Sequence, residues 1–204
     1  MRRLLLTSAG LTKNLELFFF DKIQKRPCDI KVIFVPSASI MNDGAREGIS
    51  LCMFNLMNMG ILEENISVYH LGYLLSKNYT RTYSSEVTDI SPLYRLLSVD
   101  ELNHYDLLVF SGGDSAILLS EINRTGFDEV IKESVENGLF YLGVSAGSMV
   151  TAGNFSDSLG YIRNEIHVHC KEGASCGDLP KDNPVYLADT QAIWIEGNSV
   201  KIID

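Results

Sequence analysis

The sequence predicts an α/β protein with a three-layer, doubly wound, mostly parallel sheet that ends in a C-terminal β-hairpin. Short, almost continuously apolar runs alternate with segments of helical periodicity along most of the chain, as is typical of parallel strands covered on both faces. The last part of the chain carries strand-like runs separated by turn residues instead. No repeat, low-complexity stretch or linker interrupts the pattern, so we expect residues 1–204 to form one domain.

Five apolar runs are the predicted strands of the parallel sheet: Leu4–Thr7, Ile30–Val35, Ile66–Leu71, Leu107–Phe110 and Phe140–Val144. Three further runs near the C-terminus are predicted to form the hairpin region: Val185–Leu187, Gln191–Ile195 and Val200–Ile203. In an open α/β sheet, functional sites form at the carboxyl ends of the strands. We therefore look for chemistry in the residues that follow each predicted strand.

Helical periodicity fills the segments between these strands. A first helix is predicted over Lys13–Lys25, with Pro27 beyond its end. Two further helices are indicated by apolar residues at helical spacing: Ile49, Cys52, Met53, Leu56 and Met57 after the possible caps Asn42 and Asp43, and Phe127, Val130, Ile131 and Val135 before Asn137-Gly138.

Composition and charge narrow the class of protein. Hydrophobic residues make up 46% of the 204 residues and charged residues 21%, as in ordinary globular proteins. The formal net charge of −9 disfavours nucleic acid or an anionic membrane as partner. The apolar run Leu4–Leu6 is too short for a signal peptide, and the four cysteines are too few for a disulfide framework. We therefore expect a cytoplasmic protein with reduced thiols.

The segment Gly143–Gly147 reads Gly-Val-Ser-Ala-Gly and follows directly on a predicted strand. This pattern is typical of a sharp strand-to-helix turn that exposes a serine hydroxyl at the end of the strand. The glycines suit a strained turn, because they tolerate unusual backbone angles and leave room for the following helix. Ser145 is therefore a candidate nucleophile, although an ordinary turn that happens to contain serine has the same pattern.

A serine nucleophile needs a base, and the chain contains four histidines. His70 and His104 lie in segments without other catalytic signals. His167 and His169 lie in a possible strand, where alternation would direct both side chains to one face, so either could meet Ser145. A zinc site is not favoured, because the neighbouring Cys170 would point the other way and no paired Cys-x-x-Cys is present. We predict no metal and no cofactor.

A second glycine turn follows the strand Leu107–Phe110, in the segment Ser111-Gly112-Gly113-Asp114. It lacks the spacing of a dinucleotide site and the lysine of a phosphate loop, so nucleotide binding is not indicated. The glycine N–H groups could provide one half of an oxyanion hole beside Ser145, and the Ala146 N–H could provide the other half. A tight structural turn remains an equally simple interpretation.

Together, the two glycine turns resemble those of the dipeptidase E (aspartyl dipeptidase) and cyanophycinase family of serine peptidases. The resemblance extends through Leu159–Ile162 to Val168-His169 and to the segment Asp189–Ile193. It implies a fold like that of class I glutamine amidotransferases, with serine in place of the elbow cysteine.

By the motifs of that family, Ser145 would be the nucleophile, His169 the base, with His167 as the alternative base, and Gly113 and Ala146 the oxyanion donors. Asp157, in a segment shorter than that of the family, is the nearest match for the orienting acid. The arginine-bearing helix that dipeptidase E uses near its substrate is missing, so a preference for N-terminal aspartate is not carried over. Lys171 or Arg163 could still bind an acidic group.

These observations favour a serine peptidase that hydrolyses short peptides through an acyl-enzyme, with a homodimer as a possible assembly. An esterase of the α/β-hydrolase class shares the elbow, but only 21 residues separate Ser145 from His167, which leaves no room for the strand–helix units of that fold. A third hypothesis is a binding or regulatory protein on the same scaffold, in which the shortened segment Asn154–Ser158 has dismantled the triad.

Overall fold

The structure is a computed structural model that describes residues 1–40, 43–82, 94–181 and 184–204. Its strands are β1 Arg3–Thr7, β2 Val32–Val35, β3 Ile66–Val68, β4 Leu107–Phe110, β5 Phe140–Val144, β6 Ile166–Cys170, β7 Gly177–Asp178, β8 Val185–Ala188, β9 Ala192–Glu196 and β10 Ser199–Ile203. Its helices are α1 Lys13–Ile23, α2 Asp43–Asn58, α3 Lys77–Thr82, α4 Val99–Leu102, α5 Ser115–Thr125, α6 Phe127–Glu136 and α7 Ala146–Met149.

Eight strands form the main sheet in the order β3-β2-β4-β5-β1-β9-β10-β7. The first five strands in this order run parallel to their neighbours, and the last three are antiparallel additions at the β1 side. The strands β9 and β10 are joined through Gly197 as the predicted C-terminal hairpin. The predicted α/β class with a mostly parallel sheet is therefore confirmed. The carboxyl ends of β4, β5 and β1 are adjacent at one edge of the sheet.

Apolar side chains cover both faces of this sheet, which gives the predicted three layers. On one face, Leu15 and Phe19 of α1 and Leu56 of α2 pack on sheet residues such as Leu142. On the other face, the sheet packs against helices α4, α5 and α6. The helix α2 contributes only one fully buried side chain, so most of its length lies loosely on the sheet. This loose packing leaves space beside the carboxyl edge of the sheet.

Several predicted bounds differ from the structure for local reasons. The predicted strand Ile66–Leu71 ends at Val68, because a short 3₁₀ turn begins at Leu71. The first helix ends at Ile23, where Gln24 adopts a left-handed conformation that terminates it. The run Val185–Leu187 does not join the terminal hairpin, since β8 pairs in parallel with β6 in a separate two-stranded sheet. The possible cap Asn42 lies outside the described residues.

A charged capping arrangement fixes the start of α4 on the far side of the molecule. The side chain of Ser98 accepts from the Glu101 N–H, and the Glu101 carboxylate accepts from the Ser98 N–H. Arg95 donates to both carboxylate oxygens of Glu101, at 2.7 and 2.9 Å. The Arg95 guanidinium and the Ser98 N–H lower the pKa of Glu101 to about 2. Within the described ranges, no helix has the length and apolar character needed to cross a bilayer.

Candidate active site

Ser145 lies in a strained turn between β5 and α7. Its backbone angles, φ 50° and ψ −103°, are unusual for a residue with a side chain. A Cβ on Gly143 would lie 2.6 Å from the Gly147 carbonyl oxygen, and a Cβ on Gly147 would lie 2.6 Å from Cβ of Phe110. Both flanking positions are thus closed to larger residues. The glycines of the segment Gly143–Gly147 are required by close packing of α7 on β4 and β5.

Hydrogen bonds to β1 hold this turn in place. The Ser145 N–H donates to the Thr7 carbonyl at 3.0 Å. The buried Ser148 hydroxyl lies 2.8 Å from the same carbonyl oxygen and 3.0 Å from that of Gly143. These bonds hold the backbone of Ser145 at the carboxyl edge of the main sheet, where the residue is half-buried.

The His169 ring lies between the Ser145 hydroxyl and a carboxylate. His169 Nε2 is 3.1 Å from Ser145 Oγ, and His169 Nδ1 is 2.8 Å from Asp189 Oδ1. Because a carboxylate only accepts, the proton on the ring belongs on Nδ1, which leaves Nε2 to accept from the serine hydroxyl. The geometry is that of a serine, histidine and aspartate triad.

The base and its acid are open to solvent, whereas the nucleophile is more enclosed. The side chains of His169 and Asp189 are 53% and 62% exposed. An exposed carboxylate exchanges its contact with the ring for contacts with water at a smaller cost than a buried one. The acid therefore orients the base mainly through its direct hydrogen bond.

The structure does not bring Asp157, the acid implied by the resemblance, to the histidine. The Asp157 carboxylate accepts from the side-chain amide of Asn123 on α5 at 2.9 Å, in the exposed loop after α7. The segment between α7 and β6 is short and packs back on α5, so its carboxylate faces that helix. The carboxylate beside His169 belongs to Asp189, which follows β8.

The two histidines of β6 take different positions, contrary to the expected alternation. The pairing of β6 with β8 shifts register between His167 and Cys170, and His169 has a positive φ of 56°. The His167 ring stacks on Tyr186 with ring centroids 4.9 Å apart, and its Nε2 lies 3.7 Å from Glu165. The irregularity thus separates His167 from the site and directs His169 to Ser145.

Ser8, which sequence reasoning missed, links these segments from the end of β1. Its fully buried hydroxyl accepts from the His169 N–H at 2.7 Å. The same oxygen lies 3.2 Å from Asp189 Oδ1 and 3.3 Å from the Leu187 carbonyl, so it can donate to either. One hydroxyl therefore fixes the backbone of the base and approaches the carboxylate that orients it.

The second glycine turn lies directly against the nucleophile. A Cβ on Gly112 would be 3.4 Å from Ser145 Cβ and 3.9 Å from Ser145 Oγ. Gly113 has a φ of 134°, and a Cβ there would lie 2.2 Å from the Ala38 carbonyl oxygen. The Asp114 N–H donates to this same carbonyl, and the Asp114 carboxylate caps α5. The turn is thus held rigidly, and only glycine fits at position 113.

The two N–H groups predicted to bind an oxyanion have no hydrogen-bond acceptor among the described residues. Gly113 is exposed, and its N–H makes no hydrogen bond within the described part of the chain. Ala146 is the first residue of α7, and the first N–H groups of a helix have no partner inside it. Neither group is therefore occupied by another hydrogen bond within the described part of the chain.

A cleft of about 410 Å³ adjoins Ser145 and His169. One wall is a face of α2, and the other is formed by the sheet residues Val109 and Leu142 together with the loop after β1. Lys171 and Arg163, the cations considered for binding an acidic group, are exposed and are not among the described residues that line the cleft. In the described part of the chain, His, Cys, Asp and Glu form no group of three that could hold a metal.

Comparison with known proteins agrees with the family resemblance. The family model "Peptidase family S51" matches residues 87–164, which include both glycine turns. An uncharacterized peptidase of Pasteurella multocida is 38% identical over 55 residues, which are 27% of this chain and 27% of that protein. An uncharacterized peptidase of Listeria monocytogenes is 38% identical over 56 residues, 28% of this chain and 27% of that protein. The chain thus aligns with about a quarter of the length of these curated relatives.

Solved structures extend the likeness to the whole fold. A Listeria monocytogenes protein described as a candidate peptidase E superposes with a TM-score of 0.65 at 20% identity, covering all of this chain and 98% of that one. A peptidase from an acI-B1 actinobacterium gives a TM-score of 0.60 at 16% identity, with coverage of 100% and 87%. At these identities the superpositions show a shared fold. The resemblance of the chain to the dipeptidase E and cyanophycinase family, predicted from the two glycine turns, is confirmed.

Proposed function

We propose that the protein is a serine-type peptidase that hydrolyses short peptides through an acyl-enzyme on Ser145. The observation that carries this proposal is the continuous hydrogen-bonded series from Ser145 Oγ through the His169 ring to Asp189. A serine in this setting is activated because His169 Nε2 can accept its proton as the oxygen attacks. The family match and the peptidase neighbours support the same class of reaction.

The reaction follows from these positions. Ser145 Oγ attacks the peptide carbonyl while its proton moves to His169 Nε2, and the N–H groups of Gly113 and Ala146 bind the developing oxyanion. The protonated imidazole, held by Asp189, then donates its proton to the departing amine. Water, deprotonated by the same nitrogen, cleaves the ester on Ser145 and restores the hydroxyl. Asp189 replaces Asp157 as the proposed orienting acid.

Short peptides suit the shape of the site. The cleft beside Ser145 is about 410 Å³, near the lower end of the size of small-ligand pockets, about 300–1,000 Å³. The four free cysteines suit a reducing compartment, and we infer that the protein works in the cytoplasm.

The intact triad geometry also bears on the alternative of a binding protein with a dismantled triad. The short segment Asn154–Ser158 would disable the site only if it supplied the acid, and the contact of His169 is with Asp189. An active enzyme is therefore the simpler account. An α/β-hydrolase esterase is disfavoured by the fold, whose solved neighbours are peptidases.

The test uses a fluorophosphonate probe and a dipeptide library, with hydrolysis products identified by mass spectrometry. We expect the probe to label Ser145, and we expect Ser145→Ala to abolish both labelling and hydrolysis while the melting temperature is retained. The two histidines of β6 provide a matched pair: His169→Ala should abolish activity and His167→Ala should retain it. Unchanged turnover in Ser145→Ala would contradict the mechanism. So would a loss of activity in His167→Ala together with full activity in His169→Ala.

A further inference from the structure

One face of α2 lines the cleft beside Ser145, and the side chains on this face become larger along the helix. Small residues lie at the start of the helix, at Gly44, Ala45 and Gly48, and larger ones follow on the same face at Leu51, Cys52 and Leu56. The start of α2 comes soon after Ser39, whose hydroxyl bonds the Gly112 carbonyl beside the nucleophile. The helix therefore leaves a space next to the reacting serine and closes it with apolar side chains further along.

The opposite wall is largely apolar, and the polar residues that line the cleft are Ser39, Asn55, Ser145 and His169. Val109 and Leu142 project from the sheet into the cleft, and Leu11 closes it from the loop after β1. Among the described residues that line the cleft, none is Lys, Arg, Asp or Glu. Burial raises the pKa of the Cys52 thiol, so this group is neutral near pH 7. A charged substrate group would lose its hydration here without gaining an ion-pair partner from Lys, Arg, Asp or Glu.

We propose that this cleft is the acyl side-chain subsite and that it selects a neutral, apolar residue such as leucine, methionine or phenylalanine. The proposal rests on the proposed function, because it assigns the residue whose carbonyl Ser145 attacks. That carbonyl carbon is bonded to the Cα of the acyl residue, so the acyl side chain is the part of a peptide closest to a cleft that adjoins Ser145. The leaving residue is separated from Ser145 by the scissile bond.

The size of the subsite agrees with this class of side chain. A volume of about 410 Å³ accepts a branched aliphatic or aromatic side chain with room for part of the peptide backbone. A small side chain would leave apolar wall exposed to water. A substrate with leucine at this position gains the transfer free energy of a buried side chain relative to one with alanine.

The first experiment compares four dipeptides that share the leaving residue alanine and carry leucine, alanine, aspartate or lysine as the acyl residue. We expect kcat/KM for the leucine peptide to exceed that for the alanine peptide by about 10- to 100-fold. The aspartate and lysine peptides should fall below the alanine peptide. Equal values across the series, or a preference for aspartate, would overturn the inference.

A matched pair of variants tests the cleft itself. A Cβ on Gly48 meets no atom of the described residues within 4 Å, so this helical position tolerates a side chain. Gly48→Leu fills the cleft and should lower kcat/KM for the leucine peptide about tenfold more than for the alanine peptide. Gly48→Ala adds a helix-favouring residue but little volume, and should retain the preference for leucine. Equal losses for both peptides in Gly48→Leu would also overturn the assignment.

A second measurement separates failure of this inference from failure of the proposed function. Diphenyl aminophosphonate analogues of leucine and aspartate form an Oγ–P bond with Ser145, and phenol leaves with the proton of the hydroxyl. Faster labelling by the leucine analogue supports the subsite. Equal rates at Ser145 refute the selectivity and leave the nucleophile in place. No labelling of Ser145 and no dipeptide hydrolysis refute both proposals.

Discussion

Replacing Asp189 by asparagine is expected to lower kcat about 10- to 100-fold without a change in KM. The contact from His169 Nδ1 to Asp189 Oδ1 is 2.8 Å, and a hydrogen bond to a charged group contributes about 1.5–3 kcal/mol. Each 1.36 kcal/mol corresponds to about a tenfold change in rate, which gives the stated range. The carboxylate does not touch the substrate, so binding should be unaffected.

The solvent exposure of Asp189 determines whether kcat falls by this 10- to 100-fold range or by more. In a buried triad the same change lowers kcat by about 10⁴, because the amide holds the imidazole in the wrong tautomer. Here the Asp189 side chain is 62% exposed, so an asparagine can rotate its oxygen toward Nδ1 and water can satisfy its amide. The loss should therefore remain well below that of a buried triad.

The assay measures kcat and KM with a dipeptide that carries a neutral acyl residue, and Asp157→Asn is the matched control. Asp157 accepts from Asn123 on α5, so its replacement should leave both constants essentially unchanged. The reasoning fails if Asp157→Asn loses as much activity as Asp189→Asn. It also fails if Asp189→Asn retains full activity.

Three further predictions concern packing, positioning and pH. Ser8→Ala leaves the buried His169 N–H without its acceptor, and we expect a roughly tenfold loss of kcat at constant KM. Gly147→Ala places a methyl group 2.6 Å from the adjoining β4 side chain and should lower the free energy of unfolding by about 1–3 kcal/mol, measured by urea denaturation. The hydrogen bond from Arg95 lowers the pKa of Glu101 to about 2 in the folded protein. The Glu101 carboxylate therefore stabilises the folded state at pH values above the pKa that Glu101 has in the unfolded chain, and this stabilisation is lost as the pH falls toward 2. The difference in unfolding free energy between wild type and Glu101→Gln should accordingly shrink between pH 5 and pH 2, and a constant difference would contradict it.

The sheet could be predicted because its strands are encoded locally. The runs Leu107–Phe110 and Phe140–Val144 have the same bounds in the sequence analysis and in the structure, since both strands are apolar throughout and end at glycine-containing turns. The run Val185–Leu187 could not be assigned to its sheet in the same way. Its pairing with β6 depends on tertiary contacts that leave no local pattern.

The candidate site was only partly predictable for the same reason. Ser145 and the second glycine turn are marked by short motifs whose glycines have a packing function. Asp189 has no such mark, because it meets His169 across 20 residues only after β8 has paired with β6. The segment Asp189–Ile193 does resemble the dipeptidase E and cyanophycinase family. The sequence of that segment, however, does not indicate that Asp189, rather than Asp157, is the carboxylate that contacts the histidine.

The residues of the candidate site come from two different sheets, so local unfolding of one sheet can disrupt the site. The nucleophile follows β5 of the main sheet, whereas His169 lies in β6 and Asp189 follows β8, the two strands of a small sheet that shares no strand with the main one. The buried Ser8 hydroxyl is a hydrogen-bonded joint between the two. A partial opening of the small sheet would therefore separate His169 and Asp189 from Ser145 while the main sheet stays folded. The amide proton of His169 is the natural reporter, since its hydrogen exchange measures the free energy of that opening.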